Sequence, residues 1–185
     1  MREVSEIKGR QEVTALNKEE IGVLVSSQAL IEDYVDLETQ LTPNGFDLTV
    51  ASISEFSGPG ALDFSNKERI IPQGRELAVE KINPQDKFGW WHLKKGAYKI
   101  KTNETVNLPR DLIAVASSRS SLLRMGGFTQ TAAWDAGFKG KSEFILVVDN
   151  PAGMRIKQNA RIVQLLFMRI NAAREGYQGI YQDTK

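Results

Sequence analysis

Arg119 stands between serines in Ser117-Ser118-Arg119-Ser120-Ser121, and an apolar turn, Leu122-Leu123-Arg124-Met125, follows and is closed by Gly126-Gly127. Hydroxyls and a guanidinium at the mouth of a short helix suit an anion, because the first N–H groups of a helix lack internal partners and its dipole points a positive end at them. Phosphate is the natural guest, since arginine supplies planar, charge-assisted donors and serine donates with little bulk. The plainer alternative is that Ser118 or Ser120 is an N-cap and Arg119 a surface residue.

Asp135 follows the alternating run Phe128 to Trp134 and lies beside Gly137, where backbone can approach a ligand closely. A carboxylate there could orient a water and take its proton. It could equally close a hairpin as an Asx turn. Phe138 can stack on a base or sugar, or join the core. Asp47, just after Pro43-Asn44-Gly45, alternates with Phe46 and Leu48 and so faces away from them. Gln164 interrupts the apolar run Ile162 to Ile170 and needs a partner from a ligand, a neighbouring subunit or the backbone. Tyr177 and Tyr181 in the tail can fold over a base or dock on the body. His92 has no second histidine or acid at ligand spacing and reads as structural.

These groups need a scaffold, and composition allows an ordinary one. The chain has 185 residues, 41% apolar and 25% charged, which suits one domain with a self-sufficient core. A net charge of +1 implies no broad basic face and argues against general nucleic-acid binding. The absence of cysteine removes disulfides, thiolate metal sites and cysteine nucleophiles, and fits a reducing interior. With no apolar leader at Met1 and no apolar stretch of membrane length, a soluble cytoplasmic protein is expected.

Residues 1–16 read as a loosely held arm, 17–173 as the body and 174–185 as a flexible lid built from Gly176-Tyr177-Gln178-Gly179-Ile180-Tyr181. Asn17 with Glu20 predicts a capped helix that buries Ile21, Leu24 and Val25. Leu30 to Leu37 reads as extended, and Pro43-Asn44-Gly45 as a turn using positive φ. Short β runs are expected at Ile70-Ile71, Leu77 to Val79, Trp90 to Leu93, Tyr98 to Lys101, Val106 and Leu112 to Ala116. Phe144 to Val148 reads as a strand buried on both faces or at a subunit contact. The spacing predicts a mostly β protein, a compact barrel or jelly roll.

Five ordered stretches carry a resemblance: QLTPNGFDLTV, VASSRSSLLRMG, AAWDAGFKGKSEFILVVDNP, NARIVQLLFMRI and GYQGIYQ. Together they resemble the deoxyuridine triphosphatase and deoxycytidine triphosphate deaminase superfamily, most closely its archaeal-type deoxyuridine triphosphatase branch. The resemblance implies a distorted β-barrel with short helices, assembled as a homotrimer with sites between subunits. It implies dUTP as substrate, cut to dUMP and pyrophosphate, with Mg2+ on the triphosphate. Asp135 would activate the attacking water; Arg119, Ser120, Ser121 and Gln164 would hold phosphate oxygens. Asp47 would support the metal and sugar region, Phe138 would lie under the deoxyribose, and Tyr177 with Gln178 would belong to the closing tail.

Deamination of dCTP, alone or alongside hydrolysis, is the alternative. Cysteine-dependent zinc deaminases are ruled out. The metal-free deaminases of the superfamily resemble one another in a glutamate on the strand after the DxG(F/W) motif, and here the matching position falls among Ile145 to Val147. Glu143 is the nearby acid and reads as an edge or surface residue. A nucleotide-binding trimer without catalysis is the third reading. Selection of the base is expected to rest on backbone groups of Thr129 to Ala133.

Overall fold

The computed structural model describes residues 15–184, so the loose-arm reading of residues 1–14 lies outside the described residues. Ala15 and Leu16 are not loose: Ala15 bridges Met168, and Leu16 is buried, its N–H donating to the Phe167 carbonyl at 2.9 Å. Helix α1, Lys18–Gln28, starts on the expected box, with Asn17 accepting from the Glu20 N–H and Glu20 accepting from the Asn17 N–H. Ile21, Leu24 and Val25 are its buried face.

Strand β1, Ile31–Glu32, is shorter than the extended segment expected to reach Leu37. Asp36 accepts from the Thr39 N–H at 2.8 Å and opens a short helix α2, Leu37–Gln40, because an aspartate cap satisfies an otherwise orphaned donor. Strands β2, Leu41–Thr42, and β3, Gly45–Phe56, then form a hairpin. Neither Asn44 nor Gly45 has positive φ, against expectation. Packing demands the glycine instead, since a Cβ at Gly45 would lie 2.2 Å from the Leu165 carbonyl oxygen.

Strand β4 is Gly74–Glu76 rather than Leu77 to Val79, and Ile70 makes only an isolated bridge with Ala61. Strand β5, Trp90–Leu93, is as read. Strand β6, Gly96–Asn107, joins two runs that the sequence separates, because the polar residues Thr102 and Glu104 between them point inward and are buried. Then come β7 Leu112–Ser118, α3 Ser120–Arg124, β8 Gly127–Gln130, β9 Lys139–Val148, β10 Met154–Lys157 and β11 Arg161–Arg169.

The main sheet runs β7-β11-β3-β6-β9-β8, with β1 added on β6 and β2 and β4 on β3; β5 and β10 form a separate ribbon. Its two edges meet. Ala114 on β7 and Trp134 beyond β8 exchange backbone hydrogen bonds at 2.8 and 3.0 Å, and the Thr129 N–H donates to Ser118 Oγ at 2.8 Å. This nearly closes the sheet, giving the mostly β, barrel-like fold expected. Phe46, Leu48, Ile53, Ile100, Leu146, Leu165 and Phe167 fill the interior. Strand β9 is not buried on both faces: Phe144, Leu146 and Val148 point in, while Ile145 and Val147 stay half-buried outside. No helix among the described residues is long and apolar enough to cross a membrane.

Candidate phosphate site

Strands β7, β11 and β3 lie side by side, with Ser117 opposite Gln164 and Gln164 opposite Asp47. This register brings motifs far apart in sequence to one end of the barrel. Asp47 is only 2% exposed, and its Oδ2 takes Arg119 Nε at 3.0 Å and Arg161 Nη1 at 3.2 Å. Burial pushes the Asp47 carboxyl up from its ordinary range, against the pull of the two guanidiniums. Arg161 Nη1 also donates to the Thr39 carbonyl at 2.7 Å, so both arginines are aimed by fixed acceptors.

Arg119 itself is the N-cap of α3 and makes no side-chain cap bond. The capping alternative for Ser118 and Ser120 therefore fails. Ser118 is engaged with Thr129, and Ser120 and Ser121 are exposed, with no side-chain hydrogen bond among the described residues. Two half-exposed guanidiniums beside free hydroxyls and an uncapped turn form a surface suited to phosphoryl oxygens. Gln164 donates to the Thr42 hydroxyl, so a neighbouring side chain rather than the backbone is its partner within the chain.

Asp135 is elsewhere on the chain. It is exposed, and among the described residues its carboxylate has no hydrogen-bond or ion-pair partner. The Asx-turn alternative fails, because the turn is closed by the Phe138 N–H donating to the Asp135 carbonyl at 3.0 Å. Gly137 has φ +82°, and a Cβ there would lie 2.7 Å from Gly176 Cα. Trp134 is paired with Ala114, and Arg119 lies five residues further along the chain. At about 3.3 Å per strand residue that separation is roughly 16 Å of backbone.

The tail lies against the Asp135 turn. The Tyr177 N–H donates to the Ala136 carbonyl at 2.8 Å, and the Tyr177 ring meets Phe138 edge-on at 5.5 Å. Phe138 is thus a core residue that also supports the tail. Gln178 is exposed. Gln182 does more than the sequence suggests, donating to the Gly137 carbonyl and accepting from the Lys139 N–H, both at 3.1 Å. Thr184 continues the contact as a parallel bridge to Gly140.

Glu143 lies on the outer side of β9, exposed, 3.6 Å from Lys99 Nζ, while its neighbour Ser142 points in and accepts from Trp134 Nε1. His92 is exposed, 3.6 Å from Glu80. Among the described residues there is no group of three or more His, Cys, Asp or Glu side chains placed to hold a metal. Arg161 and Thr42 were not apparent from sequence; the signal for Arg161 was a cation opening a largely apolar strand.

Residues 15–170 match the profile of a family described as dCTP deaminase-like. The chain is 47% identical over 173 residues to a Methanosarcina acetivorans protein named probable deoxyuridine 5'-triphosphate nucleotidohydrolase, covering 92% of this chain and 98% of that one. It is 34% identical over 145 residues to the Methanocaldococcus jannaschii deoxyuridine 5'-triphosphate nucleotidohydrolase, covering 78% and 88%. In fold it is similar to the crystal structure of the 2'-deoxycytidine 5'-triphosphate deaminase from Agrobacterium tumefaciens, with TM-score 0.62 and 19% identity. That match covers 87% of this chain and 49% of the other, so this chain spans about half of that protein's length.

Proposed function

The chain belongs to the dCTP deaminase-like family, and from that membership we propose that it hydrolyses dUTP to dUMP and pyrophosphate. The observation that carries the reading is the pair Arg119 and Arg161 on one buried carboxylate, beside Ser120 and Ser121, in a chain whose relatives bear the name of that activity. Arg119, Ser120 and Ser121 hold phosphate oxygens, Asp47 aims Arg119, and Arg161 opposes the effect of burial on Asp47 by favouring its charged form. Gln164 joins them by exchanging the Thr42 hydroxyl for a phosphate oxygen.

Asp135 orients a water and takes its proton as the water oxygen bonds to the α-phosphorus; the bond from that phosphorus to the bridging oxygen breaks, and pyrophosphate leaves. Such a step needs positioning and charge neutralisation rather than a nucleophilic side chain. The carboxylate of Asp135, exposed and without a partner among the described residues, is available for the role. Its distance from Arg119 within one chain favours a site shared between subunits, and a homotrimer is the assembly we propose. Phe138 and Tyr177 then flank the sugar and base, the tail with Gln178 closes the site, and Thr129 to Ala133 read the base.

A single carboxylate, half committed to arginines, cannot cage a metal but fits an ion that arrives on its ligand. Mg2+ bound to the triphosphate would neutralise charge on the leaving phosphates, with Asp47 the residue nearest in role to hold it through water. The absence of cysteine suits a reducing interior, and the cytoplasm is the compartment we propose. Glu143, turned outward onto Lys99, favours hydrolysis over deamination. The test is to incubate the protein and magnesium separately with dUTP and dCTP and resolve the products by chromatography. dUMP and pyrophosphate from dUTP alone, lost in Asp135→Asn, are expected; any uracil product from dCTP would establish the deaminase alternative.

A further inference from the structure

Glu104 is fully buried in β6, at 0% exposure, where the ladder to β9 slips between Lys101 and Thr105. The β3 ladder to β6 ends here as well, with Val50 opposite Thr102. Beyond that point the Glu104 side chain replaces the missing strand. Its Oε2 accepts the Thr49 N–H at 2.9 Å, and its Oε1 accepts the Thr49 hydroxyl and, at 2.7 Å, Gln40 Nε2. Every donor is neutral, and among the described residues no lysine or arginine pairs with it. A carboxylate is costly to bury without a cation, so its presence calls for a use.

Gln40 shows where that use lies. Its Oε1 accepts from the Val35 and Asp36 N–H groups at 2.7 and 2.9 Å, which fixes the amide so that Nε2 must donate. Nε2 divides between Glu104 and the Asp47 carbonyl at 2.8 Å. The segment so pinned contains Asp36, whose cap forms α2, and Thr39, whose carbonyl aims Arg161. One carboxylate therefore underlies both the strand carrying Asp47 and the turn directing Arg161.

We propose that Glu104 is a positioning residue for the phosphate clamp, holding Asp47 and Arg161 in register through Gln40 and Thr49 so that the two guanidiniums meet a triphosphate already in place. The inference rests on the dUTP reading above. A residue that only stabilised the barrel would affect all ligands alike. One that positions the clamp affects the triphosphate most.

The test is calorimetric titration of the wild type, Glu104→Gln and Gln40→Met with the α,β-imido analogue of dUTP and with dUMP, at a temperature where circular dichroism shows each variant folded. Glu104→Gln leaves one oxygen for two fixed donors, so its amide N–H meets either Gln40 Nε2 or the Thr49 N–H; Gln40→Met cuts the Gln40 link with Glu104 intact and serves if the first variant does not fold. The analogue's Kd is expected to rise about tenfold in both, the size of one buried unmet hydrogen bond, while dUMP binding changes by less than about twofold. Steady-state kinetics with dUTP should show KM rising more than kcat falls. Parallel weakening of both ligands, or unchanged binding of the analogue, overturns the inference. A wild type that binds neither ligand overturns the dUTP reading itself and this inference with it.

Discussion

Asp47 is a small residue with a large share of the organisation, since two cations, one at the cap of α3 and one on β11, converge on one of its oxygens. Arg161→Met removes one of them and leaves the other. KM for dUTP is expected to rise about tenfold with a smaller fall in kcat, in line with loss of a charge-assisted contact; steady-state kinetics would show it, and an unchanged KM would confine Arg161 to folding. Glu104 adds a dependence on pH. Burial pushes its carboxyl above the ordinary glutamate value of about 4.3. The folded state thus prefers the protonated form, so the associated stability is complete below that unfolded value and is lost as pH rises through the folded one. Denaturant titrations should find the stability gap between wild type and Glu104→Gln narrowing as pH rises above the unfolded value of about 4.3. A widening gap would mean that the three donors outweigh burial. Asp47 and Arg119 could be picked out in the sequence because each sits in a patterned motif. Arg161 and Glu104 could not, because a lone charge gains its meaning only from partners a strand register brings beside it.

At the level of elements, α1 and β5 were legible because their signals are local: a capping box in one, an apolar run between turns in the other. Strand β6 was not, since hydropathy cannot say that Thr102 and Glu104 point inward to meet partners on β3 and β9. Gly45 shows the same limit, its need arising from the Leu165 carbonyl more than a hundred residues away. The tail was legible as a glycine and tyrosine segment, but not its seat along Gly137 to Lys141. Deleting residues 176–185 should slow dUTP turnover several-fold or more while the imido analogue still binds, since the segment covers the Asp135 turn rather than the arginines. Stopped-flow turnover with calorimetry would separate the two, and unchanged turnover would remove the tail from the mechanism.

At the scale of the whole molecule, the Asp135 turn is held at Ala114 on β7 while Arg119 follows that strand's far end. If sites form between copies in a closed ring, two inactive variants can repair each other. Asp135→Asn and Arg119→Ala, unfolded together and refolded in equal amounts, should regain about a quarter of wild-type activity, the chance that an intact Arg119 faces an intact Asp135 across a given interface. Dead mixtures would place both residues in one chain's site. A site shared in that way would make activity collective. A lone chain, however well folded, would then own halves of two sites and the whole of none, so specific activity should fall on dilution below the assembly constant and return on concentration or with bound nucleotide.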